Sequence, residues 1–311
     1  MKFQMLAILI DRTARMIYRI DIIKRTLGTS FVRRFFYIIL RLIRKDIIEG
    51  NLNGVRLIFY NPRDPHLLNL SPETYGASPF IKPYYEHSVI MHLGQIVKQY
   101  TSPTFLDVGA HYGYFTIYMS KLGGASSKVF SFEPNSEYYE ILSTNVRLNK
   151  LQNVFLHKLA LSDKNGTITM ETSQRFRSIG FQQSRRKMKL LGPLDSSSEE
   201  PVRAVPFDEL AETLGISPNI VKIDVHGAEG NVVTGMKNTL RKHVDHLYCE
   251  VHNELTNGYT ARDIVKVLQD AGMETFEFRR FRTQNGKFTK IPEDLFLESK
   301  KERNRMIYAR K

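Results

Sequence analysis

The amino-acid sequence predicts an α/β fold, a mostly parallel sheet with helices on both faces, preceded by an N-terminal helical extension. Three observations predict it. From Thr104 onward, short apolar runs alternate with segments of helical length. Phe105–Val108 and Ile220–Val225 are apolar along most of their length, as strands buried on both faces are. Glycines and charged residues follow these runs directly, where open α/β sheets bind ligands.

In chain order, residues 1–48 read as helices. Phe31, Phe35, Ile38, Ile39, Leu42 and Ile43 share one face at about 100° per residue, with Arg33, Arg34, Arg41, Arg44 and Lys45 opposite. Such a basic amphipathic helix either lies on an anionic membrane or packs its apolar face on the α/β domain. Residues 49–102 form a lead-in: a hairpin over 50–60 turning at Asn53-Gly54, a proline-rich loop over 61–83, and a helix near Tyr85–Tyr100.

The α/β domain is expected over 103–311. Its strands are Phe105–Val108, Lys128–Phe132, Asn153–Leu159, Ile220–Val225, His246–Val251, Thr275–Arg279 and Met306–Arg310, with an extra strand at Gly166–Glu171. Its helices are Tyr114–Lys121, Ser136–Asn149, Glu229–Arg241 and Thr260–Ala271. A basic insertion over 172–204, carrying Arg175, Arg177, Arg185, Arg186, Lys187 and Lys189, is either an active-site lid or a surface loop.

Composition narrows the class. Hydrophobic content of 42% and charged content of 25% in 311 residues describe a globular chain. The single cysteine, Cys249, excludes an internal disulfide and a four-cysteine zinc site; a buried, inert thiol in a reducing compartment is expected. Net charge is +13, of which Lys2, Arg12, Arg15, Arg19, Lys24, Arg25, Arg33, Arg34, Arg41, Arg44 and Lys45, against Asp11, Asp21 and Asp46, place +8 before residue 49. That segment attracts anionic lipid, nucleic acid or an acidic partner. Met5–Ile10 and Phe35–Leu40 fall far short of the ~20 residues that span a bilayer. Met5–Ile10 is also short for a signal-peptide core. A cytoplasmic location is expected, with membrane association on the cytoplasmic face left open.

Five motifs carry the chemistry. Asp107-Val108-Gly109-Ala110-His111-Tyr112-Gly113 is a glycine turn between a strand and a helix, whose N-terminus offers free N–H groups to an anion. Ser131-Phe132-Glu133-Pro134-Asn135 places a carboxylate 24 residues after Gly109, where one accepts hydrogen bonds from a ribose diol. Turn and acid together indicate a nucleoside ligand, and the missing third glycine argues against NAD. Ala160-Leu161-Ser162-Asp163 reads by itself as a turn former. Val221-Lys222-Ile223-Asp224-Val225-His226-Gly227-Ala228-Glu229-Gly230 ends a strand in Asp224 and His226, which point the same way while the strand persists. Cys249-Glu250-Val251-His252-Asn253-Glu254 does the same with Glu250 and His252.

From about Pro103 to His252 these five segments, in this order, resemble the FkbM family of methyltransferases, whose pattern is Asp-Val-Gly-Ala-Asn-x-Gly, Phe-Glu-Pro, Ala-Leu-Ser-Asp, Lys-Ile-Asp-Val-Glu-Gly-Ala-Glu and Glu-Val-His. The resemblance implies a Rossmann-like fold with a seven-stranded sheet, S-adenosylmethionine as cofactor, and O-methylation of a small natural product, glycan or glycolipid. It implies cofactor binding by Asp107, Gly109, Ala110, His111, Gly113, Glu133, Pro134, Asp163 and Asp224, with Asp163 accepting from the adenine amino group. His111 departs from the family's Asn. His226 departs from its Glu, which changes the substrate or the base, or signals reduced activity.

Methyl transfer gains chiefly from positioning, which supplies ~7–11 kcal/mol when two bound reactants are oriented. A hydroxyl acceptor also needs a base, for which His226 is expected, with His252 second and Asp224 orienting a histidine or binding substrate. The alternative is that both histidines only tie loops together. Asp224, His226, Glu250 and His252 could ligate a metal, but no tight helical pair supports this and no metal is assigned. Two other classes stay open: a nucleic-acid methyltransferase, disfavoured by the lack of an Asn-Pro-Pro-Tyr motif, and a non-catalytic cofactor-binding scaffold at a membrane surface.

Overall fold

The structure is a computed structural model, and it describes residues 47–60, 85–172, 198–252, 258–292 and 304–311. Most of the basic extension (1–46) and the centre of the basic insertion (173–197) lie outside the described residues. The chain divides into two compact units, 1–85 and 86–311.

In the first unit, β1 (Ile47–Leu52) and β2 (Val55–Tyr60) pair antiparallel, so Ile47 and Ile48 already belong to a strand. Asn53 and Gly54 both take positive φ, as a two-residue hairpin turn requires, and Gly54 N–H donates to Asn51 Oδ1 at 2.8 Å.

The second unit opens with α1 (His87–Ile96) and a 3-10 turn (Val97–Gln99). Ser88 ties α1 to a distant loop: its hydroxyl donates to the Thr283 carbonyl at 2.6 Å and accepts from Gly286 N–H at 3.0 Å. The strands that follow are β3 (Thr104–Val108), β4 (Lys128–Phe132), β5 (Val154–His157), β6 (Ala160–Leu161), β7 (Gly166–Thr172), β8 (Ser198–Val205), β9 (Ile220–Ile223), β10 (His246–His252), β11 (Glu274–Arg279), β12 (Lys287–Lys290) and β13 (Asn304–Arg310). The helices are α2 (Tyr114–Gly123), α3 (Ser136–Leu148), α4 (Phe207–Leu214), α5 (Glu229–Thr234), α6 (Lys237–Lys242) and α7 (Ala261–Asp270).

The main sheet has the order β12-β11-β13-β10-β9-β3-β4-β5. From β5 to β10 every pairing is parallel, whereas β13 runs antiparallel between β10 and β11. This is the expected Rossmann-like α/β architecture with one correction. Among the described residues the sheet has eight strands rather than seven, because Lys287–Lys290 adds an antiparallel edge to β11. That strand is exposed along its length, so no apolar run announced it.

Burial explains the strand choice. Leu106, Val108, Val221, Ile223, Leu247, Cys249 and Val251 form one core on one face of the sheet with Phe132, Phe207 and Ile307, and Phe105, Ile220 and Tyr248 are buried on the other. Cys249 is the buried free thiol expected of it. Helix ends are capped by short polar side chains: Asn135 accepts from Glu137 and Tyr138 N–H at α3, and Thr260 and Asp263 form a capping box at α7.

Two further expectations change. Residues 172–204 are not wholly an insertion, since Ser198–Val205 is a strand that pairs with β7 and β6 in a second, three-stranded sheet. The helix expected over Glu229–Arg241 is two helices. The chain breaks at Gly235-Met236, where it passes against the Ala160–Asp163 segment: a Cβ on Gly235 would stand 1.8 Å from the Ser162 carbonyl oxygen. Asp208 then caps the new helix from α4, accepting from Thr239 N–H at 2.8 Å and Asn238 N–H at 2.9 Å. Among the described residues no helix is long and apolar enough to cross a membrane.

Gly235→Ala forces backbone against backbone, so it is expected to lose about 2–3 kcal/mol of stability in denaturant unfolding. Gly166→Ala, with nothing within 4 Å of the added carbon, serves as the control and stays within about 0.5 kcal/mol.

Candidate active site

Register brings the motifs together. Val108 pairs with Phe132 on one side and Ile223 on the other, and Ile223 pairs with Cys249. Gly109, Glu133, Asp224 and Glu250 therefore begin at the same edge, on four neighbouring strands about 4.8 Å apart.

The glycine turn is built by the protein's own contacts. Gly109 takes φ 80, and a Cβ there would lie 2.0 Å from the Asp224 carbonyl oxygen, so only glycine lets β3 and β9 close at this level. Gly109 and Ala110 N–H both donate to the Phe132 carbonyl, at 2.9 and 3.0 Å. Ala110 packs on Leu142 and Val146 of α3, and Gly113 is the N-cap of α2. His111 takes φ 51, a conformation in which Asn and His are over-represented among non-glycine residues. Its ring sits between Tyr112 and Tyr138, with centroids 3.9 and 4.1 Å away.

Glu133 is buried at the end of β4 beside this turn. Oε2 accepts from His111 N–H at 2.8 Å and Oε1 from Asn135 N–H at 2.9 Å. Burial pushes its pKa up to about 7, and the two backbone donors oppose this only in part. Each oxygen has spent one of its two lone pairs on the backbone. Pro134 lies between Glu133 and the Asn135 cap. Asp107 is buried at the end of β3, where Oδ2 accepts from Thr116 Oγ1 at 2.6 Å; burial raises its pKa. Asp163 accepts from Asn231 Nδ2 at 3.0 Å and from Ser162 Oγ at 3.1 Å, and the Asn231 bond leads in lowering its pKa.

Asp224, His226, Glu250 and His252 converge by a different route from the one expected. β9 ends at Ile223, so strand alternation does not align Asp224 with His226. The chain turns instead, and His226 takes φ 52, which folds its half-exposed ring back toward β10. β10 does persist through His252, as the Glu250–His252 spacing predicted. His226 Nδ1 lies 3.0 Å from His252 Nε2, and Asp224 Oδ1 lies 3.8 and 3.9 Å from those two atoms. His252 Nδ1 is 2.8 Å from Glu229 Oε1, and both oxygens of Glu229 accept from Gly227 N–H. Burial alone would lower the pKa of His252, but the Glu229 hydrogen bond and the charges of Asp224 and Glu250 outweigh it and raise the pKa to about 9.

Beneath this cluster, Lys222 projects from β9 into the buried interior. Nζ lies 3.3 Å from Asp224 Oδ2, 3.8 Å from Glu86 Oε2 and 4.4 Å from the Phe115 ring centre. Burial opposes its charge, but Glu86, Asp224, Asp107 and Glu250 hold its pKa above the usual value. Burial likewise opposes ionisation of Asp224, and Lys222 with the two histidines reverses this, holding its pKa low. Glu86 has no hydrogen-bond partner on either oxygen among the described residues, and burial lifts its pKa to about 8. Glu250 Oε1 is held by Arg282 and by Asn304 Nδ2.

Glu229 and Lys222 lie within the Val221–Gly230 motif, whose local pattern assigns them no separate role. A lone lysine within the apolar run Val221–Ile223 was the signal for a buried, paired cation. Glu86 gave no such signal, because its partners are remote in sequence.

Removing Lys222 leaves buried carboxylates without a counter-ion. Lys222→Met is expected to cost about 3–5 kcal/mol in denaturant unfolding, and a change below 1 kcal/mol would show that the charges are not coupled.

The family model described as the methyltransferase FkbM domain matches residues 107–275. Hexuronic acid methyltransferase AglP of Haloferax volcanii is 28% identical over 170 residues, which is 54% of this chain and 62% of that protein, so the match spans less than two thirds of the relative. Methyltransferase sdnD of Sordaria araneosa is 30% identical over 109 residues, 34% of this chain and 42% of that protein. Among solved structures, an FkbM methyltransferase from Methylobacillus flagellatus aligns with TM-score 0.43 and 11% identity, over 67% of this chain and 44% of that one. The M. jannaschii TYW2 complex with AdoMet aligns with TM-score 0.38 and 13% identity, over 86% of each chain. The family model matches over half of the sequence, and the chain belongs to the FkbM methyltransferase family.

Proposed function

We propose that this protein is an S-adenosylmethionine-dependent methyltransferase that O-methylates a hydroxyl of a glycan, glycolipid or small natural product. The observation that carries the reading is Glu133. Its buried carboxylate stands beside the glycine turn, fixed by two backbone N–H groups, with one lone pair on each oxygen left for a ribose diol. The residues present fit the cofactor: Gly109, Ala110, His111 and Gly113 form the turn, Pro134 follows the acid, and Asp163 stands ready for the adenine amino group. Asp107 supports the turn from behind through Thr116. When bound, the cofactor supplies an electrophilic methyl group.

The chain's own residues do the rest. Asp224, His226 and His252 lie at the ends of β9 and β10, next to the turn, and form the acceptor side. His226 takes the hydroxyl proton, and His252 and Glu229 stand behind it. Hexuronic acid is the first acceptor class to assay, because the name of the Haloferax volcanii relative specifies it. Peripheral membrane contact through residues 1–48 rests on their sequence alone.

The diol donates to the ionised form of Glu133, so a proton competes with the cofactor. Calorimetry should show affinity level above pH 7 and falling below it by up to tenfold per pH unit. Glu133→Gln should flatten that slope and weaken binding about 10–100-fold. An unchanged affinity would remove Glu133 from the site.

With labelled cofactor and hexuronic-acid sugars, His226→Ala should slow turnover about 10²–10⁴-fold, and His252→Ala should slow it too. Near-normal rates in both variants would remove the catalytic assignment. In cell extract, label entering nucleic acid rather than glycan or lipid would overturn the acceptor class.

A further inference from the structure

We propose that Asp224, His226 and His252 form a binding site for one divalent first-row transition-metal cation. This rests on reading the three residues as the acceptor side of the site, and changes what does the activating there: a bound cation in place of a free imidazole.

Geometry is the first support. His226 Nδ1 and His252 Nε2 are 3.0 Å apart, and Asp224 Oδ1 lies 3.8 and 3.9 Å from them. Three atoms at those separations lie on a circle about 2.1 Å in radius, so one point is a normal metal–ligand bond length from all three. A separation of 3.0 Å between nitrogens also corresponds to two bonds of about 2.1 Å meeting near a right angle.

Asp224 is the second support. Oδ1 is buried and accepts no hydrogen bond among the described residues, while its sister oxygen faces Lys222. A buried carboxylate oxygen left without a donor is costly, and a cation at the common point satisfies it.

The third support lies behind the ligands. His252 Nδ1 is held by Glu229, which is itself buried and held by Gly227 N–H. A carboxylate on the far nitrogen of an imidazole orients its near nitrogen toward a metal. The backbone at His226 sits in a conformation uncommon for a non-glycine residue, and it is this turn that carries the ring over the end of β10. His226 is also half exposed, which leaves the outer side of the common point open for an acceptor oxygen. Lys222 and Arg282 offset two charges, against Asp224, Glu229 and Glu250 around the cluster.

Two imidazoles and one carboxylate select zinc, cobalt, iron or nickel over magnesium and calcium, which prefer all-oxygen sites. The step needs no change of metal oxidation state. A cation there polarises the acceptor hydroxyl, whose proton leaves to solvent as the C–O bond forms and the C–S bond breaks, releasing a neutral thioether.

The test uses the full chain, stripped with a chelator and titrated with Co²⁺ and Zn²⁺ by calorimetry and visible absorption, with cofactor affinity measured on the same samples. One equivalent bound, with the absorption of a histidine-ligated Co²⁺ site, is expected. His226→Ala, chosen because the side chain is half exposed, should weaken it about 10²-fold or more while cofactor affinity stays unchanged. His226→Glu should restore a site that favours Mn²⁺ and Mg²⁺ over Co²⁺. Absence of stoichiometric binding by the stripped chain, or equal binding by His226→Ala, overturns the proposal. Cofactor binding with no metal binding leaves the methyltransferase reading standing with a free-imidazole base, whereas metal binding without cofactor binding defeats that reading alone.

Discussion

The buried ammonium of Lys222 is the interaction on which the site depends. Carboxylates seldom lie inside a sheet protein unless a cation accompanies them. Here Glu86, Asp224 and Glu250 gather at the carboxyl ends of β9 and β10 or against them, and Lys222 is within 4 Å of two of the three. Its charge helps to keep Asp224 ionised although that side chain is largely buried. Glu86, farther from the ammonium and without a hydrogen bond, retains its proton near neutrality. The cation thus keeps one carboxylate charged while burial leaves another neutral, and the charged one faces the histidines.

Close packing of strand ends does the second part of the work. Gly109 allows the turn after β3 to meet the backbone at Asp224, and that contact joins the glycine turn to the histidine cluster. Asp224 consequently belongs to both: its backbone touches the glycine turn, and its carboxylate touches the histidine pair. Gly235 plays the corresponding role for the Ala160–Asp163 turn, allowing Ser162 to approach α5 and α6. A substitution at either glycine acts on backbone, which has no rotamer to yield.

The two departures from the family pattern have different physical characters. His111 replaces an Asn in a left-handed turn that both residues accept, and its ring finds Tyr112 and Tyr138 as neighbours. His226 replaces a Glu where the neighbouring groups are His252, Asp224 and Glu229. A third carboxylate there would add to a surplus of negative charge, and an imidazole does not. The exchange alters the donor set of the cluster, from oxygen-rich to nitrogen-rich, without disturbing its position.

Local pattern in the sequence determined the α/β class, the Gly109 turn, Glu133 at the end of a strand, and Glu250 and His252 on one face of β10, because each follows from periodicity or spacing within a few residues. The exposed strand Lys287–Lys290 escaped detection, since an edge strand need not be apolar, and the break at Gly235 depended on a carbonyl more than seventy residues away. Tertiary structure alone decided that Glu86 meets Lys222, that Glu229 stands behind His252, and that the turn after Ile223 carries His226 onto His252. Those are contacts between remote segments, set by sheet register and burial, and register is a property of paired strands rather than of any one of them.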